Sequence, residues 1–133
     1  MQTHTTAKTP EGSLAIRTLA MPSQTNPNGD IFGGWVVSQM DLAGLAIAGK
    51  YARYHVVTIA INSMVFIAPI KVGDFVCCYA KLITLGNTSI TVKIQTWAVD
   101  ARELEENRRQ VTEGVFTYVA IDEKGRPEPI KRE

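Results

Sequence analysis

From Gly33 to about Tyr51 the chain reads GGWVVSQMDLAGLAIAGKY, apolar almost all round. The run is too long for an ordinary strand, and its Ala, Leu and Met favour helix. A helix that is apolar on every side is normally wrapped by other structure. Before it, SLAIRTLAM, ending at Met21, is a short mixed run that suits a first strand. PSQTNPNGD follows, dense in Pro, Asn, Gly and Asp, which is the chemistry of a loop. After the helix, His55–Ile67, Phe75–Leu85, Thr88–Val99 and Gln110–Ile121 read as four more strands. Thr88–Val99 alternates best, with Ile90, Val92, Ile94 and Thr96 on one face. The strands are separated by APIKVGD, by a turn at Gly86–Asn87 and by the charged excursion Asp100–Arg109. Consecutive strands with short links predict an antiparallel sheet. One long apolar helix must then be buried by that sheet. The expectation is an α+β fold, with about five antiparallel strands wrapped around one central helix. The domain spans 13–122, with a flexible leader at 1–12 and a flexible, Pro-broken tail at 123–133. No repeat of fixed period appears.

Bulk properties narrow the partners. The 133 residues are the size of one ordinary domain. A net charge of +1 gives no general field for nucleic acid or an anionic membrane. The apolar stretch from Ile31 to Gly49 is long enough to invite a membrane reading, but Asp41 in its middle would be costly in lipid. The polar start, MQTHTTAKTPEG, is not a signal peptide. Cys77 and Cys78 are neighbours, so on a strand they point to opposite faces and are badly placed to pair with each other. They also lack metal-site spacing. Two reduced strand cysteines fit a reducing compartment. These features predict a cytoplasmic protein with no membrane and no nucleic-acid partner.

Three strings carry a family resemblance: LAMPSQTNPNGDIFGGWVVSQMD, VVTIAINSMVFIAPIKVGD and FTYVAID. Their most specific part is Asn26, Gly29, Gly33 and Gly34, with Asp41 seven residues after the second of the paired glycines. Together they resemble the YciA-type acyl-CoA thioesterases over Leu14 to Ile121. The resemblance implies the hotdog fold and hydrolysis of acyl-CoA to a free acid and coenzyme A. It implies no metal or redox cofactor. It also implies a homodimer, assembled further into a tetramer or hexamer, with active sites that draw on both chains. In such enzymes a loop Asn and a helix carboxylate form the functional pair, which maps onto Asn26 and Asp41. One departure stands out: many relatives carry His before the double glycine, where this chain has Phe32. The two histidines, His4 and His55, fall in the leader and at a strand start, where a structural or solvated role is expected.

The residues support this reading physically. Thioester hydrolysis builds negative charge on the carbonyl oxygen, which needs donors fixed in advance. Gly33 and Gly34 lie at the first helical turn, where backbone N–H groups have no helical partner and the dipole favours an anion. Asp41 is almost two turns past Gly34, on the same face but about 10 Å along the axis. One small thioester group cannot touch both in one subunit, which points to a site shared across a dimer. Asp41 could act as general base or as nucleophile. Asn26 could donate to the carbonyl or place the water, and it could equally be a turn residue. Thr58 and Ser63 lie on the strand expected to cross the helix, where either could hold the water or simply pack. The turn Gly86–Asn87–Thr88–Ser89 offers donors for coenzyme A or is merely a hairpin. Lys81, Lys93, Arg108 and Arg109 are candidates for phosphate contact. A non-catalytic acyl-CoA-binding or sensing protein is the main alternative. A hydratase would want a helix histidine, and the helix has none.

Overall fold

The computed structural model describes residues 9–53, 55–100 and 107–130. Its main elements are β1 (Ser13–Leu19), α1 (Gly33–Ala48), β2 (Val56–Phe66), β3 (Asp74–Leu85), β4 (Ser89–Asp100) and β5 (Arg109–Ala120). Each falls within about two residues of its expected span. The exception is the end of the helix, which tightens into a 3-10 turn over Gly49–Tyr51. The strands form one sheet in the order β1-β3-β4-β5-β2, and every neighbouring pair is antiparallel.

Helix and sheet bury each other. Val36, Met40, Ala43 and Ala48 of α1 pack with Val76 and Cys78 of β3, Ile90, Val92 and Ile94 of β4, and Phe116 and Tyr118 of β5. The alternation read along β4 holds: Ile90, Val92, Ile94 and Thr96 are fully buried. Both cysteines lie buried on β3 as thiols rather than as a disulfide. Burial pushes the Cys78 thiol up to about 11, so it is inert at neutral pH.

The opposite face of β4 is also covered, by polar groups. Gln95 is buried there, accepting from Trp97 Nε1 and from the Glu11 backbone while donating to Glu113. Glu11, inside the stretch read as leader, bridges Lys81 and Lys93 at 3.0 and 3.1 Å. Residues 1–8, with His4, lie outside the described residues, as do 101–106 of the charged excursion.

Residues 123–130, read as part of a flexible tail, fold back in the structure. Asp122 Oδ1 accepts the backbone N–H groups of Lys124 and Arg126, making a tight turn. The Glu128 N–H then donates to Ala120 and the Ile130 N–H to Asn87, and the Ile130 side chain is buried. An apolar residue and free backbone donors beside an open hairpin explain the docking.

The two sheet edges differ. β1 is short and has an irregular register between Leu14 and Ile16. β2 is long and lined with half-exposed apolar side chains, among them Val57, Ile61 and Phe66, with Ile59 the most open at 57%. It carries a bulge between Asn62 and Val65, where Ser63 adopts the left-handed conformation at φ 55°.

Candidate active site

Asp41 sits mid-helix, half-buried, facing the sheet near its β2 edge. Its Oδ1 accepts a hydrogen bond from the Thr58 hydroxyl at 2.7 Å. Its main-chain carbonyl accepts one from the Tyr118 hydroxyl, also at 2.7 Å. Thr58 and Tyr118 are cross-strand partners on β2 and β5, so one register position grips the residue from two sides. Of the two strand residues proposed as site groups, the structure joins Thr58 to Asp41 and leaves Ser63 exposed in the bulge.

The other half of the site is the start of α1. Phe32 is the N-cap and supplies no side-chain cap. Among the described residues the N–H groups of Gly33 and Gly34 meet no acceptor, so two adjacent donors stand open at the positive end of the helix. Aromatic rings flank them. A Cβ on Gly33 would lie 3.3 Å from the Phe66 ring, and one on Gly34 would lie 3.5 Å from Phe32. Asn26 lies in the preceding loop. Its Oδ1 accepts from the backbone of Asn28 and Asp30, which makes it an organiser of that loop. Its amide nitrogen has no acceptor among the described residues and is left to donate. Lys71 pairs with Asp30 and ties the same loop to the segment before β3.

The turn Gly86–Ser89 closes the β3–β4 hairpin through Gly86 N–H to Ser89 carbonyl at 2.8 Å. The carbonyls of Asn87 and Thr88 hold Ile130 and Ala120, so its backbone acceptors serve the chain itself. The cations considered for phosphate contact are likewise engaged. Lys81 and Lys93 bind Glu11, Arg109 binds Asp74 at 2.5 Å, and Arg108 stacks over Trp97 at 5.8 Å.

Comparison with known proteins gives this geometry a context. The thioesterase superfamily model matches residues 28–105. The chain belongs to that superfamily. It is similar to the acyl-CoA thioester hydrolase YciA of Salmonella typhimurium, 49% identical over 92% of each chain. Among solved structures, the hexameric thioesterase of Yersinia pestis is 48% identical, with a TM-score of 0.88 over 93% of this chain and 100% of that one. A hexameric hotdog-fold thioesterase of Campylobacter jejuni is 41% identical, with a TM-score of 0.83 over 90% and 91%. The five-stranded sheet around one helix is therefore the hotdog fold, as expected from the sequence.

Within one chain of this thioesterase-superfamily protein, the two halves of the site stand about 10 Å apart along α1. A cleft of about 760 Å³ opens at the C-terminal end of α1, lined by Lys50, Arg53, His55, Asp122 and Glu128 among others. It contains neither Asp41 nor the glycine pair. Sequence reasoning missed Tyr118 and Phe66. Glycine at position 44, inside a helix, was the available signal for the first. Among the described residues no helix is long and apolar enough to cross a membrane.

Proposed function

We propose that the protein hydrolyses acyl-CoA thioesters to a free carboxylic acid and coenzyme A, in sites built between two copies of the chain. The observation that carries this reading is the split helix: a carboxylate held by Thr58 at Asp41, and two open backbone donors at Gly33 and Gly34 of the same α1. The helix rise puts them about 10 Å apart, too far to serve one carbonyl within one chain. Across a dimer, the glycine donors of one protomer face the carboxylate of the other. The relatives' acyl-CoA hydrolase activity and hexameric assembly support the substrate class and the oligomer.

In this scheme the thioester oxygen rests on the Gly33 and Gly34 N–H groups, with the Asn26 amide as a third donor. The charge that develops there is met by fixed dipoles. Asp41 either takes a proton from an attacking water or attacks the carbonyl carbon itself. The carbon–sulfur bond breaks and the sulfur leaves as the thiol of coenzyme A once it gains a proton. The chain's own groups suffice, with no metal or redox cofactor. Self-pairing through β2 covers exposed apolar side chains on that edge strand, such as Val57, Ile59 and Ile61, which a monomer leaves open to water. We infer that three such dimers form the working hexamer.

Free-thiol release from a panel of acyl-CoAs, wild type against Asp41→Ala, tests the assignment. The expected outcome is activity in the wild type and a loss of several kcal/mol of transition-state stabilisation in the variant. Equal rates would remove Asp41 from the mechanism. Tight acyl-CoA binding without thiol release would favour a sensor. Single-turnover hydrolysis in oxygen-18 water separates the two roles, because label in the Asp41 carboxylate requires a covalent intermediate.

A further inference from the structure

Tyr118 is a large residue, 1% exposed, whose ring packs beneath α1 beside Phe116. Packing alone would be met by phenylalanine. A buried hydroxyl is unfavourable unless it finds a partner. Its partner here is the main-chain carbonyl of Asp41. Burial, with the nearby Asp41 charge adding to it, pushes the Tyr118 hydroxyl up, so it remains a donor throughout the neutral range.

A second, independent feature serves the same contact. Gly44 is buried three residues after Asp41, inside the helix, where glycine is a poor choice. A Cβ at that position would lie 2.7 Å from Cζ and 2.8 Å from Cε1 of Tyr118, and closer still to the hydroxyl oxygen. Real Cβ atoms do not approach that closely. Glycine is therefore what lets the ring reach the helix backbone.

We propose that Tyr118, seated against Gly44, is a positioning residue that fixes the Asp41 backbone while Thr58 fixes its carboxylate. This rests on the reading of Asp41 as the working carboxylate. A helix carbonyl has two lone pairs, so it can take the Tyr118 bond in addition to a helical one. With both grips made, α1 cannot slide or roll over the sheet at Asp41. Displacements on the order of 1 Å at a catalytic group can cost about a hundredfold in rate, so such a brace has value beyond stability.

The test compares wild type, Tyr118→Phe, Gly44→Ala, Thr58→Val, the Tyr118→Phe/Thr58→Val pair and Asp41→Asn, measuring thiol release on full-length protein. Tyr118→Phe keeps the ring and removes one atom. Its expected effect is a fall in kcat of roughly tenfold, with KM within about twofold, because an orientation lost at the carboxylate affects the transition state more than binding. The double variant is expected to lose less than the product of the single losses, since both residues act through Asp41. Gly44→Ala keeps the hydroxyl but forces it away and should reproduce the kcat loss. It stands in for Tyr118→Phe if circular dichroism shows that variant unfolded. A kcat within twofold of wild type while Asp41→Asn is inactive would overturn the proposal and leave the Asp41 reading intact. So would a change in KM alone, or losses that multiply in full. Full activity in Asp41→Asn would instead remove the reading on which the proposal stands.

Discussion

Thr58→Val exchanges a hydroxyl for a methyl of nearly the same shape, so it isolates one bond. That bond is 2.7 Å long and runs from the Thr58 hydroxyl to Oδ1 of Asp41. Thr58 is exposed in a single chain, so its loss should hardly affect the stability of the fold. The effect on catalysis should be larger. A hydrogen bond to a charged group contributes about 1.5–3 kcal/mol. With each 1.36 kcal/mol worth about tenfold in rate, the expected loss in kcat is on the order of 10- to 150-fold if the bond serves the transition state. Thr58→Ser keeps the donor and should recover most of the rate. The assay is steady-state thiol release on a substrate near saturation, with a thermal melt of each variant as control. The reasoning fails if Thr58→Val retains more than half the wild-type kcat. It also fails if Thr58→Ser is as poor as Thr58→Val, because the methyl and not the hydroxyl would then matter.

Met40 is fully buried, so Met40→Ala opens a cavity beneath α1 and should cost about 2–5 kcal/mol in denaturant unfolding. Ser63 holds a left-handed backbone, so Ser63→Gly should be at least as stable as wild type, whereas Ser63→Val should lose about 1–2 kcal/mol in the same experiment. Glu11 separates Lys81 and Lys93, which lie directly opposite each other on β3 and β4. Hydrogen bonds from these lysines hold the Glu11 carboxyl below its ordinary value of 4.5. Its contribution is therefore present above that value and lost as the pH falls through the lower folded one. Glu11→Gln should reduce stability by about 1 kcal/mol at pH 7. The gap to wild type should close in acid melts, and a gap that persists there would refute the electrostatic origin.

The elements were legible because each has its own period: β4 alternates through Ile90, Val92 and Ile94, while α1 is apolar all round and begins after a loop rich in Asn and Gly. The spacing of Asp41 from the glycine pair was legible because they lie in one short segment of α1, where the helix rise alone relates them. What escaped depends on strand order. Tyr118 reaches Asp41 across 77 positions of sequence, and only the placing of β5 beside β2 brings it there. The lysines fared similarly. Lys81 and Lys93 look like free cations until the β3–β4 register sets them side by side and Glu11 fills the gap. Ser63 gave no sign of its bulge, since serine is compatible with an ordinary strand.

The unlike edges of the sheet also bear on how growth stops. A protein that pairs through exposed strands risks adding copies without end. Here β2 invites one partner, and two copies joined through β2 would each have spent that edge. What remains outward is β1, seven residues long with an irregular register, a poor template for the next chain. With that pairing, one sticky margin and one blunt margin would make assembly through the sheet self-terminating, and larger complexes would be built on other surfaces.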